Sequence, residues 1–240
     1  MKNLQIAVLG FLAVAALAVT GMALSYHPAQ PEPVPAAATY TPPPIHITDD
    51  RPLAMFIGDS WVGGSAMGGN GWNNFSYIVA GRMDWRFAEA SRGGSGYIRP
   101  VQPLGTFSGE ARMARVKEAQ PTYTFVVNGI NDWQEHITKE ELAAAATKTY
   151  DAILAAAPKT KLIVIGMMAP GAPTANTLAA RDVLKPLVEA RHGLFIDPVT
   201  DPWWDGEDEK YVGTDKYHLT DAGHEFLAKK LEAILRKALV

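Results

Sequence analysis

The segment Leu53-Ala54-Met55-Phe56-Ile57-Gly58-Asp59-Ser60-Trp61 joins a continuous apolar run to a glycine and two polar residues. An apolar run without alternation fits a strand covered on both faces, as in a parallel sheet. Gly58 permits a tight turn, and Ser60 then falls at or near the start of the next helix. Unpaired N–H groups and the positive end of the helix dipole lie there. A hydroxyl in that place is set to attack a carbonyl, and its own N–H can stabilise the resulting oxyanion. Capping of the helix is the plainer role for Ser60.

Outward from this segment the same unit recurs. Apolar runs at Leu53–Ile57, Trp85–Ala88, Tyr123–Val127, Lys161–Ile165 and Leu194–Ile196 alternate with helix-like stretches. Thr138 and Glu141 form a capping-box pattern. Leu142, Ala146, Tyr150, Ile153 and Ala157 follow at helical spacing, with Pro158 just beyond. Thr220 is placed to cap a last helix with an apolar stripe at Leu227, Leu231, Ile234, Leu235 and Ala238. Strands alternating with helices predict a five-stranded parallel α/β sheet with helices on both faces. Ligands of such sheets bind outside the carboxyl ends of the strands, so the residues just after each run carry the most information.

After the second run comes Ser91-Arg92-Gly93-Gly94-Ser95-Gly96-Tyr97, where the backbone can approach a ligand closely. A backbone N–H of this segment can serve as a second oxyanion donor, and an ordinary glycine turn is the alternative. After the third run comes Asn128-Gly129-Ile130-Asn131-Asp132-Trp133, and the Asn131 amide offers a third donor. Near the C-terminus, Gly213-Thr214-Asp215-Lys216-Tyr217-His218 sets a carboxylate three residues before an imidazole. A carboxylate bonded to one ring nitrogen fixes the tautomer and frees the other nitrogen to take a proton from a serine. His136, after the Asn131 loop, is the one rival histidine near this site.

These four segments, in this order, resemble the SGNH hydrolases, the GDSL-type esterases, over roughly residues 52–240. Gly58-Asp59-Ser60 is similar to the first block of that family, and the family's second block has an oxyanion glycine. Gly129, Asn131 and Asp132 match its Gly-x-Asn-Asp block, and Asp215 with His218 its Asp-x-x-His block. The resemblance implies a flavodoxin-like three-layer α/β/α sandwich. It implies catalysis by Ser60, His218 and Asp215, and an oxyanion hole of Ser60, Gly94 and Asn131, with Gly93 or Gly96 as alternatives to Gly94. Asp59, Gly129 and Asp132 are implied as supporting residues. Two features depart from the pattern: Trp61 stands where a leucine often follows the serine, and the second block lacks an upstream asparagine.

Composition bounds the rest. The chain has 240 residues, 48% of them apolar and 20% charged, which suits one sizeable domain with an appendage rather than disorder. A net charge of −3 gives no basic surplus for nucleic acid. The absence of cysteine excludes disulfides, thiolate metal sites and cysteine nucleophiles. No Gly-x-Ser-x-Gly elbow, phosphate-cradling glycine loop or His-Glu-x-x-His zinc helix occurs, so neither a metal nor another cofactor is expected. The acidic stretch Asp201, Asp205, Glu207, Asp208 and Glu209 matches no calcium loop. Arg112, Arg115 and Lys117 read as a solvated helix face, and Met167-Met168 as core packing beside the site.

At the N-terminus, Lys2 precedes an uncharged run from Ile6 to Leu24. Residues 1–25 are expected to be a signal peptide or a membrane anchor, with the remainder outside the cytoplasm. Any membrane contact is expected through this segment alone. Residues 26–47, with Pro28, Pro31, Pro33, Pro35, Pro42, Pro43 and Pro44, read as an extended stalk. Residues 48–240 are expected to form the catalytic domain. The expected activity is hydrolysis of short-acyl, notably acetyl, esters of carbohydrate or small lipids. The alternatives are an O-acyltransferase acting on envelope glycans and a non-catalytic envelope-binding domain. Trp203 and Trp204 are candidates for walling the site.

Overall fold

The computed structural model describes residues 49–135, 137–168, 174–199 and 210–239. The expected leader and stalk, His136, the Trp203-Trp204 pair and the stretch from Asp201 to Glu209 lie outside the described residues. Five strands, β1 (Leu53–Gly58), β2 (Arg86–Ser91), β3 (Tyr123–Val127), β4 (Lys161–Ile165) and β5 (Leu194–Ile196), form one sheet in the order β2-β1-β3-β4-β5. Every pairing is parallel. The helices are α1 (Ser60–Gly63), α2 (Phe75–Arg82), α3 (Glu110–Ala119), α4 (Lys139–Ala156), α5 (Ala175–Glu189) and α6 (Asp221–Leu239).

Alternation along the strands divides the core in two. Leu53, Met55, Ile57, Val126, Leu162 and Val164 pack with Val116 of α3, Leu142, Ala146, Tyr150 and Ile153 of α4, and Leu184 and Val188 of α5. Ala54, Phe56, Phe125, Val127, Ile163 and Ile165 pack with Phe75 and Val79 of α2 and Leu227, Leu231 and Leu235 of α6. Both faces of the sheet are therefore covered, and the described domain is the expected three-layer α/β/α sandwich. The chain leaves β1 for β2 on one side and returns to place β3 on the other. The crevice at that reversal, outside the carboxyl ends of β1 and β3, is where this topology opens for ligands.

Local signals behave as their chemistry dictates. The Thr138 hydroxyl accepts the Glu141 N–H at 3.1 Å, and the Glu141 carboxylate accepts the Thr138 N–H at 2.8 Å. The Thr220 hydroxyl accepts the Gly223 N–H at 3.1 Å ahead of α6. Two readings need correction. The strand expected at Trp85–Ala88 runs from Arg86 to Ser91. It is an edge strand bonded only to β1, so Arg86 and Glu89 stay partly exposed and break the apolar run. Arg112, read as solvated, is fully buried. It shares the inner face of α3 with Val116 and Ala119.

His224 of α6 is another buried polar group, 2% exposed and stacked on the Phe75 ring at 5.9 Å. Desolvation pulls its pKa down to about 4, against the opposing pull of Asp221. Between that value and the unfolded one the unfolded chain binds more protons, so stability falls as pH drops through this window. His224→Phe is expected to remove up to about 3 kcal/mol of that acid sensitivity. Melting curves at pH 7.5 and pH 4.5 check this: the wild type should lose more on acidification than the variant, and equal losses contradict it.

Candidate active site

Three strand ends and one C-terminal turn supply the site. Asp59 directly follows β1, and its carboxylate accepts the Trp61 N–H at 2.9 Å, capping the short helix α1. Ser60 is the first residue of that helix. Its hydroxyl lies 2.9 Å from Nε2 of His218, a residue 158 positions away in sequence. On the other side of the ring, Nδ1 lies 2.7 Å from the Asp215 carboxylate. The Asp215–His218 turn is closed by the antiparallel bridge between Val212 and Leu219 and by the Gly213 N–H donating to the His218 carbonyl at 2.7 Å.

The Asp215 carboxylate also accepts the backbone N–H groups of Tyr217 and His218, each at 2.9 Å. Partial burial would raise its pKa. The bonds from the His218 backbone, the His218 ring and Tyr217 outweigh that and hold it below the ordinary carboxylate range. An ionised Asp215 accepts from Nδ1–H, which leaves Nε2 as the acceptor facing the serine hydroxyl. The His218 and Asp215 side chains are 28% and 35% exposed, so the relay lies at the protein surface.

The segment after β2 borders Ser60. A Cβ built on Gly93 would lie 3.6 Å from Cβ of Ser60. Gly94 adopts φ +81°, a conformation that favours glycine. The backbone N–H groups of Ser60, Gly93 and Gly94 donate to no described residue. Gly96 does not share this position. Its N–H donates to the Arg99 carbonyl at 3.0 Å, and a Cβ there would fall 2.2 Å from the Asp132 carboxylate.

Two buried carboxylates tie these loops together. Asp132 accepts the N–H groups of Tyr97, Ile98 and Arg99 at 2.7, 3.1 and 2.8 Å. Burial raises its pKa against those three bonds. Asp59 accepts the Gly129 N–H and the Asn131 amide, both at 3.2 Å. Desolvation pushes its carboxyl up to about 6, against the pull of the Trp61 and Gly129 N–H groups. The Asn131 amide also donates to the Ser95 carbonyl at 3.1 Å. Both of its hydrogens thus have protein acceptors, each at a long distance, and an anion beside Ser60 would compete for one of them.

The structure therefore brings Ser60, His218, Asp215, Asp59, Gly94, Gly129, Asn131 and Asp132 to one end of the sheet. It sets Asn131 against Asp59 and Ser95. Met167 and Met168 are buried, and the Trp133 indole N–H donates to the Met167 sulfur. Sequence reasoning missed Ser95 and Arg112. The Arg112 guanidinium donates to the Ser95 hydroxyl at 2.8 Å. The spacing of Arg112, Val116 and Ala119 on one helix face was the signal for burial.

Comparison with known proteins gives concordant results. The profile of the GDSL-like lipase/acylhydrolase family matches residues 56–226. The GDSL lipase Rv0518 of Mycobacterium tuberculosis (strain ATCC 25618 / H37Rv) is 32% identical over 200 residues, spanning 79% of this chain and 84% of that one. The crystal structure of TesA superimposes with a TM-score of 0.61 at 16% identity, over 77% of this chain and 98% of that chain. A family two carbohydrate esterase from Clostridium thermocellum in complex with cellohexaose gives a TM-score of 0.60 at 16% identity, over 78% of this chain and 64% of that chain.

Proposed function

Since the chain belongs to the GDSL-like lipase/acylhydrolase family and is a carboxylic ester hydrolase, we propose that it is an exported serine esterase that removes short acyl groups from carbohydrate or small lipid esters. The observation that carries the serine mechanism is the relay Ser60–His218–Asp215, with contacts of 2.9 and 2.7 Å. Ser60 Oγ attacks the ester carbonyl while Nε2 of His218 takes its proton. Asp215 orients the ring and stabilises the imidazolium. The carbonyl oxygen, now negative, is held by the Ser60 and Gly94 N–H groups, with Gly93 beside them, and by the Asn131 amide. His218 returns the proton to the leaving alkoxide, and an acyl-enzyme remains. Water activated by His218 then releases the acid. Export rests on Lys2, the Ile6–Leu24 run and the prolines that follow.

A carbohydrate leaving group is supported by Trp72, which is 75% exposed. It stands edge-on to Tyr77 at 5.2 Å, in the loop that follows α1. That loop is bonded to the start of α6, three residues after His218: the Gly69 N–H and the Asn73 amide donate to Asp221 at 2.8 and 2.9 Å. An exposed indole face suits a sugar ring. The test is turnover of p-nitrophenyl acetate, butyrate and longer esters beside acetylated oligosaccharides. Acetyl esters should be cleaved fastest, and a preference for long acyl chains contradicts the reading. Trp72→Ala should raise KM for the acetylated oligosaccharide about fivefold, a change of roughly 1 kcal/mol. It should leave p-nitrophenyl acetate turnover within about twofold. An equal effect on both substrates would remove the sugar platform.

A further inference from the structure

We propose that Arg112 is a positioning residue for ester hydrolysis: from inside the core its guanidinium fixes the turn that carries the Gly93 and Gly94 N–H groups. The inference rests on the serine-esterase reading above and extends it to a residue that touches no substrate.

Arg112 is the largest fully buried side chain among the described residues. Its helix neighbours on the same face, Val116 and Ala119, are apolar. An uncharged side chain of similar length would fill the volume without the cost of desolvating a cation. The guanidinium instead reaches a polar acceptor, the Ser95 hydroxyl. Its Nη2 donates to the Ser95 hydroxyl at 2.8 Å and its carbon lies 5.2 Å from the Phe107 ring centroid. The Ser95 hydroxyl has a single hydrogen, and it donates that to the Arg92 carbonyl at 2.6 Å. The same carbonyl accepts the Ser95 N–H at 3.2 Å, and the Arg92 N–H donates to the Gly58 carbonyl at 3.1 Å. Residues 92–95 are thus a closed turn, joined at one end to the strand that leads to Ser60 and clamped at the other by Arg112.

Gly93 and Gly94 form the tip of that turn. The Ser95 carbonyl orients the Asn131 amide. All three donors beyond the Ser60 N–H therefore depend on Ser95, and Arg112 holds Ser95. The positive charge also reaches the site: Arg112 is among the groups that draw the Asp59 carboxyl downward. A negative oxygen forming beside Ser60 would feel the same field.

The test compares Arg112→Met, Arg112→Lys and Ser95→Ala with the wild type. Read out are kcat and KM on p-nitrophenyl acetate, inhibition by phenylboronic acid, and the melting temperature. Phenylboronic acid mimics the tetrahedral anion on Ser60. Arg112→Met is expected to lower kcat about 10- to 100-fold and to weaken boronate inhibition in proportion, with KM within about twofold. Arg112→Lys should recover part of the loss. Ser95→Ala, which keeps the guanidinium, should lower kcat about 5- to 10-fold. A folded Arg112→Met with kcat and boronate affinity within twofold of wild type overturns the proposal. Should that variant fail to fold, an undiminished Ser95→Ala overturns it. Absence of ester turnover by the wild type itself would instead bring down the esterase reading.

Discussion

Ser60→Ala is expected to lower kcat on p-nitrophenyl acetate by about 10⁴-fold or more. The hydroxyl is the one group placed both to attack and to give its proton to His218, at 2.9 Å. The loss should come without a loss of fold. Ser60 is only partly buried, and removing its oxygen opens no cavity in either core. The melting temperature should stay within a few degrees. His218→Ala should cost about as much, and the double variant scarcely more, because nucleophile and base act as one unit. What activity survives reflects the backbone donors and binding alone. An additive double variant, or a Ser60→Ala enzyme near wild-type rate, means that another group does the chemistry.

Asn131→Ala carries the second large expectation, a fall in kcat of about 10²- to 10³-fold with little change in KM. An amide that strengthens its bond only as negative charge develops acts on the transition state rather than on the bound ester. Asn131 also has a structural bond to lose. The fully buried Asp59 carboxylate would keep the Gly129 and Trp61 N–H groups but lose the amide. Stability should therefore fall by roughly 1–3 kcal/mol. Kinetics and denaturant unfolding on the same preparation separate the two effects. A drop in stability with kcat unchanged would make Asn131 a scaffold residue only.

The fold was legible because the three central strands, β1, β3 and β4, are buried over most of their length and leave nearly continuous apolar runs, while β5 at the far edge is a short apolar run. β2 lies at the edge, and its partly exposed Arg86 and Glu89 concealed where it ends. The grouping of Ser60, Asp215 and His218 was legible because serine, carboxylate and imidazole carry their chemistry in their side chains. The candidate glycine donor was not, since what it offers is an N–H whose direction depends on the turn. The structure places Gly93 against Ser60, leaves the Gly93 and Gly94 N–H groups without acceptors among the described residues, and commits that of Gly96 to Arg99. Nor could the sequence show that Asp59 and Ser95 share the Asn131 amide, because that pairing is made between loops far apart in the chain. Arg112 was misread for a different reason. A charged residue on an otherwise amphipathic helix reads as solvent-facing until its register with Val116 and Ala119 is counted.

Reaction with a fluorophosphonate probe, followed by peptide mass spectrometry, tests the central claim most directly. One phosphonyl group per chain should appear on the peptide containing Ser60. It should vanish in Ser60→Ala and form far more slowly in His218→Ala. Modification of a different residue, or ester turnover that persists with Ser60 unmodified, would contradict the account.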